Sequence, residues 1–278
     1  MNEMSLKARI RNIADEKNVT PYAVLQNYLM GRFLLRLNQS EYKDKFVVKG
    51  GMLISSIIGI DQRTTLDLDI TLRNIPLTEN AVRHAIKNIC SIRSDDGIVF
   101  EFKSIEPIRD NDGYGGFRVR FNGIYGKINA AMSMDVSTGD VITPGAGKHV
   151  FTDILDENIT FELWSYPNET ILAEKIETTL SRGTNNTRPR DFYDVYMIAA
   201  EAYDKRLFAE AFRATSEHRG SYGNIKDYEP ILKTIAEDPV MRERWSRYVA
   251  EMPYAKEIRF EDTIAAIRKV IINCDELK

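Results

Sequence analysis

Cysteine is almost missing from this chain. Cys90 and Cys274 are the only two in 278 residues, they lie far apart, and neither belongs to a Cys-x-x-Cys pair or a Cys/His cluster. A disulfide framework or a structural zinc site therefore has no raw material. Histidine is as scarce, with only His84, His149 and His218, which leaves little for a Ser/His/Asp triad or an imidazole metal centre. No apolar run approaches the roughly 20 residues a membrane span requires. The opening MNEMSLKARIRNIADEK is charged and amphipathic, without the apolar stretch of a secretory signal, so a cytoplasmic protein is expected. An excess of one charge is also lacking: the formal net charge is −3. That does not announce a nucleic-acid binder, although a local basic patch would suffice to contact a few phosphates.

What is present is the composition of a soluble globular protein, 43% hydrophobic and 28% charged, in a chain long enough for two ordinary domains. With cysteine and histidine set aside, carboxylates are the remaining source of metal ligands.

Apolar spacing in Leu6, Ile10, Ile13 and Ala14 predicts a helix over 5–17. Thr20 as a cap and Pro21 in the first turn predict a second helix ending near Leu37. FVVKGG then reads as a short strand closed by a glycine turn, MLISSIIGI as a helix, and LDLDITL, with its period of two, as a strand whose apolar face is Leu66, Leu68 and Ile70. Thr78 heads another helix. Alternating segments dominate from about 97 to 165, and helical periodicity returns after that, including YEPILKTIAEDPVMRERWSRYVAEM as one long helix. The expected organisation is α+β: N-terminal helices and a mixed α/β domain over 1–165, then a helical domain over 166–278.

Within LDLDI, Asp67 and Asp69 share one face of a strand, roughly 6 to 7 Å apart. An exposed edge strand would explain this without any chemistry. A divalent cation between the carboxylates would explain it too, because Mg²⁺ prefers oxygen ligands and keeps water and phosphate as the others. Gly50 and Gly51, one helix earlier, allow the backbone to approach a ligand, and a turn entering a helix offers free N–H groups to phosphate. A third carboxylate between apolar neighbours, Asp135 in Met134-Asp135-Val136, stands on a later strand. In the helical part, Lys175 lies mid-helix, and Asp191 and Asp194 are three apart at the start of the next helix, where simple capping is the plainer explanation.

The order Val48-Lys49-Gly50-Gly51, helix, then Leu66-Asp67-Leu68-Asp69-Ile70 resembles the nucleotidyltransferase superfold of DNA polymerase β type. The fuller set, KGG, R-x-T-x-DLDI, Glu174-Lys175 and R-x-R-D-x-Y-D from Arg188 to Asp194, resembles the AbiEii/AbiGii-type nucleotidyltransferase toxins of toxin–antitoxin and abortive phage infection systems, whose relatives include the MenT toxins. The resemblance runs over roughly residues 20 to 200. It implies a catalytic set of Asp67, Asp69, Asp135, Lys175 and Asp191, with two Mg²⁺ ions on Asp67, Asp69 and Asp135. It implies that Lys49, Gly50, Gly51, Arg63, Thr65 and Lys175 bind the nucleotide. Met52 stands where many relatives carry Ser or Thr, and Ser55 and Ser56 are weaker substitutes a turn later. The implied reaction moves NMP from an NTP, GTP or a pyrimidine nucleotide, to an acceptor, with the 3′ end of tRNA first among the candidates. Arg182, Arg188 and Arg190 are the nearest basic cluster for RNA. A cognate antitoxin, a DNA-binding repressor acting without a stable complex, is the implied partner. An acceptor that is a small molecule or a protein keeps the same fold and suits the near-neutral charge.

Overall fold

The computed structural model describes residues 2–108 and 115–275; the side chains of 273–275, Cys274 among them, and Gly113 and Tyr114 at the start of one expected strand lie outside the described residues. The chain divides into two compact units, one of residues up to Asp140 together with Gly147–Ser165, the other of Val141–Ala146 together with everything from Tyr166.

The first unit opens with α1 (Glu3–Lys17), capped by the Asn2 side chain, and α2 (Pro21–Gln39), capped by Thr20 with Pro21 in its first turn. β1 (Phe46–Lys49) passes directly into α3 (Gly50–Ile58). The two glycines are thus the first turn of the helix and not a turn ahead of it. Gly50 makes this possible with φ +66°, a left-handed conformation that a side chain resists. β2 (Asp67–Leu72) begins one residue later than its apolar pattern suggested. Leu68 and Ile70 are fully buried, but Leu66 is 50% exposed and stands outside the apolar face. α4 (Glu79–Ser91) follows its Thr78 cap, and then come β3 (Val99–Ile108), β4 (Gly116–Tyr125), β5 (Ile128–Thr138), β6 (Gly147–Thr152) and β7 (Thr160–Ser165).

These strands form one mixed sheet in the order β3-β4-β5-β2-β1-β7-β6. β2 with β5 and β1 with β7 are parallel, and the other neighbours are antiparallel. Alternation sorts the side chains onto two faces. Leu68, Ile70, Val119, Phe121, Met134 and Val136 enter the core, where Phe33 of α2 meets the rings of Phe121 and Phe100 at 4.8 and 5.6 Å. Arg36, fully buried on the same helix, is held by both oxygens of Asp96 at 2.9 and 2.7 Å, so its charge does not enter the core unpaired. The polar residues of β2, β4 and β5 are left on the opposite face.

The second unit is helical: α5 (Asn168–Arg182), α6 (Pro189–Ile198), α7 (Lys205–His218), the single turn α8 (Tyr222–Ile225), α9 (Tyr228–Glu237), α10 (Pro239–Glu251) and α11 (Phe260–Asp275). The long helix expected over 228–252 is broken in two at Asp238, because Pro239 disfavours helical backbone in the residue before it and the Asp238 side chain caps the second piece by accepting from Met241 N–H. Residues 141–146 join this unit through Thr143, whose N–H donates to Thr170 Oγ1 at 3.2 Å and whose carbonyl accepts from the same hydroxyl at 3.0 Å.

Candidate active site

Strand register brings the three sequence-selected carboxylates onto one polar face. Asp69 is the lateral partner of Asp135 across the parallel β2 and β5, and Asp67 is the partner of Ser133. On the other side of β5, Asp135 faces Arg118 of β4. Their side chains meet in a two-point ion pair, Arg118 Nε to Oδ1 at 2.8 Å and Nη2 to Oδ2 at 2.7 Å. Ser133 donates its hydroxyl hydrogen to Asp67 Oδ1. Arg118 is held in its charged form by its hydrogen bonds with Asp135, then by the charge of Asp135, with Asp67 and Asp69 adding to the same field. A single guanidinium therefore feels all three carboxylates.

Gly50 and Gly51 lie against this face. A Cβ on Gly50 would come 1.9 Å from Asp69 Oδ2, and one on Gly51 would come 2.5 Å from Thr65 Oγ1. The first turn of α3 has no side-chain cap, so N–H groups at a helix N-terminus, with the positive end of the dipole, open beside Asp69. Thr65 donates to the Asp67 carbonyl at 3.2 Å and shapes the entry to β2. Arg63, only 1% exposed, packs with its Nη2 3.4 Å from the Gly51 Cβ position. In this arrangement Arg63 and Thr65 build the wall behind the glycines. Lys49 reaches along the same face and donates to Ser137 Oγ at 2.9 Å and Asp140 Oδ2 at 2.7 Å. Met52 and Ser55 are buried, and Ser56 is engaged with His149, so these positions offer no hydroxyl beside the glycines.

In the second unit, Lys175 of α5 places Nζ 2.6 Å from Asp191 Oδ1 and 2.8 Å from Asp194 Oδ2, with both carboxylates buried on α6. α6 has no side-chain cap bond from its N-cap residue Arg188, and Asp191 lies in its first turn. Burial works against the Lys175 charge, but Asp191 and Asp194 outweigh it and hold the ammonium above the ordinary lysine value. Arg188, half exposed, approaches Asp191 at 2.9 Å. Arg182 and Arg190 are exposed nearby in the sequence.

An all-oxygen donor set on adjacent strands, beside a glycine that admits Asp69 closely, fits Mg²⁺ in ligand type. Among the described residues no three His, Cys, Asp or Glu side chains converge as they stand on a metal position, with Asp135 turned to Arg118 and Asp67 to Ser133. Cys90 is buried, which pushes its thiol up to about 12. The residues missed in the sequence are Arg118, Ser133 and Asp140. For Arg118 a signal existed in the alternation Arg118-Val119-Arg120, which puts two arginines on the polar face of a strand, but only the pairing of β4 with β5 directs one of them to Asp135.

The family model described as "Nucleotidyl transferase AbiEii toxin, Type IV TA system" matches residues 32–266. No curated protein matches the chain. Among solved structures, it is similar to a candidate nucleotidyltransferase of Helicobacter pylori at 13% identity and TM-score 0.50, covering 94% of this chain and 99% of that one. Two more similar structures are JHP933 of the same organism, at 14% identity and TM-score 0.48 over 93% and 94% of the two chains, and an antigenic nucleotidyltransferase-like protein of Paracoccidioides brasiliensis, at 15% and 0.47 over 75% and 91%. The fold is that of the nucleotidyltransferases, with a C-terminal helical region.

Proposed function

The chain belongs to the AbiEii family of nucleotidyl transferase toxins of type IV toxin–antitoxin systems, and from that premise we propose that it transfers an NMP unit from an NTP to an acceptor in a Mg²⁺-dependent reaction. The observation that carries the reading is the lateral pairing of Asp69 with Asp135, with Asp67 two residues away on the same face and the Gly50–Gly51 helix start beside them. Asp67, Asp69 and Asp135 would hold the metal. Divalent cations there would activate the acceptor hydroxyl and offset negative charge on the transferred phosphoryl group.

The chain's own residues do the rest. N–H groups of the first α3 turn bind phosphate oxygens, and Gly50 keeps the space that a Cβ would close. Lys49, tied to Ser137 and Asp140, orders the strand ends next to the glycines. Lys175, a buried ammonium fixed by Asp191 and Asp194, is read from the motif resemblance alone as a point charge for nucleotide phosphate. The acceptor is read as RNA, foremost the 3′ end of tRNA, with Arg182, Arg188 and Arg190 as phosphate contacts and GTP or a pyrimidine nucleotide as donor. A cognate antitoxin completes the system. Support for these finer assignments comes from the motif resemblance and the exposure of the three arginines.

The test is incubation of the purified protein and Mg²⁺ with each labelled NTP and total tRNA. Label that becomes RNase-sensitive and maps to RNA 3′ ends is expected. Label on the protein or on a small molecule would replace the tRNA reading with the other acceptor class, and no transfer from any NTP would overturn the activity itself.

A further inference from the structure

Asp135 is held by a cation of the protein itself, Arg118. The Arg118 fork closes on both of its oxygens at 2.7 and 2.8 Å, a geometry that adds direction to charge attraction. The pair is imposed by backbone register, since the two residues are cross-strand partners. Asp67 and Asp69 lie on the neighbouring strand, Asp69 as the lateral partner of Asp135. The pair is open to solvent, with the Arg118 side chain 47% exposed and Asp135 29%, so it can exchange without unfolding the sheet. Three carboxylates on two adjacent strands repel one another, and a guanidinium at their edge offsets that repulsion. The same contact occupies the oxygens that a divalent cation would need.

We propose that Arg118 is a built-in counter-ion that holds Asp135 in the metal-free protein and competes with divalent cation for it, so that the Arg118–Asp135 pair sets the metal affinity of the site. This deepens the metal reading and rests on it. A cation binding Asp135 competes with the guanidinium for the same two oxygens. Arg118 is a positioning residue: it acts on the reaction through the carboxylate it releases.

The test uses Mn²⁺ as the probe and the full-length protein without nucleotide, with free Mn²⁺ followed by electron paramagnetic resonance. R118Q is expected to bind Mn²⁺ about two- to fivefold more tightly than wild type, the range for losing a solvent-accessible ion pair that competes with the cation. D135N is expected to bind it more weakly, and R118Q in the D135N background is expected to add nothing. If R118Q binds no more tightly while D135N binds less, the counter-ion role is overturned and the metal site stands. If the R118Q gain persists in the D135N background, Arg118 acts as a diffuse charge and the specific pair is overturned. If D67N, D69N and D135N all bind Mn²⁺ as wild type does, the metal reading itself falls, and the counter-ion role with it.

Discussion

Gly50 and Asp69 fit together so closely that a single added carbon would collide: a Cβ on Gly50 would stand 1.9 Å from Oδ2, 2.6 Å from Cγ and 2.8 Å from Cβ of Asp69. Gly50 also needs φ +66°. Gly50→Ala should therefore cost about 1–2 kcal/mol for the left-handed backbone alone, and it should displace the Asp69 carboxylate as well. Loss of nucleotide transfer together with a lowered urea midpoint is the expected result. An active variant of unchanged stability would remove Gly50 from the site.

Asp67→Asn and Asp69→Asn should separate activity from stability. Each removes a proposed metal ligand, and its loss is expected to lower transfer about a thousandfold, several kcal/mol of barrier. Relief of like-charge repulsion on one strand face leaves stability unchanged or raised by about 0.2–1 kcal/mol. Urea unfolding alongside the transfer assay checks both, and a variant that loses stability in step with activity would point to a structural role for the carboxylate.

Lys175→Met removes the ammonium between two buried carboxylates and leaves Asp191 its ion pair with Arg188, which should cost about 3–5 kcal/mol. Trp245, buried in the second unit, reports its unfolding once Trp164 of the first unit is replaced by Phe. Neutralising the partners as well, in K175M/D191N/D194N, should restore much of the loss. Because the folded value of Lys175 is raised, its stabilisation is complete below the unfolded value of about 10.4 and disappears as pH rises through the higher folded value. The wild type should lose more stability than the triple variant across that alkaline window.

His149 gives the opposite pH dependence. Burial lowers its value below 6.5, so the neutral ring is favoured in the folded state while the unfolded chain takes up the proton first. Stability should be complete above pH 6.5 and fall as pH drops from there through the folded value. His149→Gln should flatten that acid limb in a series of unfolding midpoints; an unchanged limb would assign it to other groups.

Gly31 sits inside the 19-residue α2, and a Cβ there would meet nothing within 4 Å. Its conformation is one that alanine adopts, so Gly31→Ala should stabilise the protein by about 0.5–1 kcal/mol by restricting the unfolded chain. Thermal unfolding decides this, and a destabilised variant would mean that the space beside Gly31 has to stay open.

Local signals were sufficient for much of the fold. Thr20, Pro21 and Thr78 marked helix starts because caps act within one turn, and the period-two pattern of LDLDITL marked β2 because both faces of a strand are written in alternate residues. Asp67, Asp69 and Asp135 were legible as candidates for the same reason, each being polar in an apolar run. Local pattern failed at the boundaries. Leu66 looked like core but stands half exposed ahead of the strand, and the glycines looked like a turn but begin a helix through the φ of Gly50.

The sequence by itself thus determined which residues alternate, where helices begin, and that carboxylates are the most plentiful metal ligands. The tertiary structure alone decided that Asp135 pairs in register with Asp69, that Arg118 faces Asp135, and that Lys175 buries its charge between Asp191 and Asp194. Alternation and capping are short-range effects of the backbone. Register between β2 and β5 joins residues 66 apart in the chain, and no local preference specifies which distant strand supplies the neighbour; the burial of both apolar faces against a common core does.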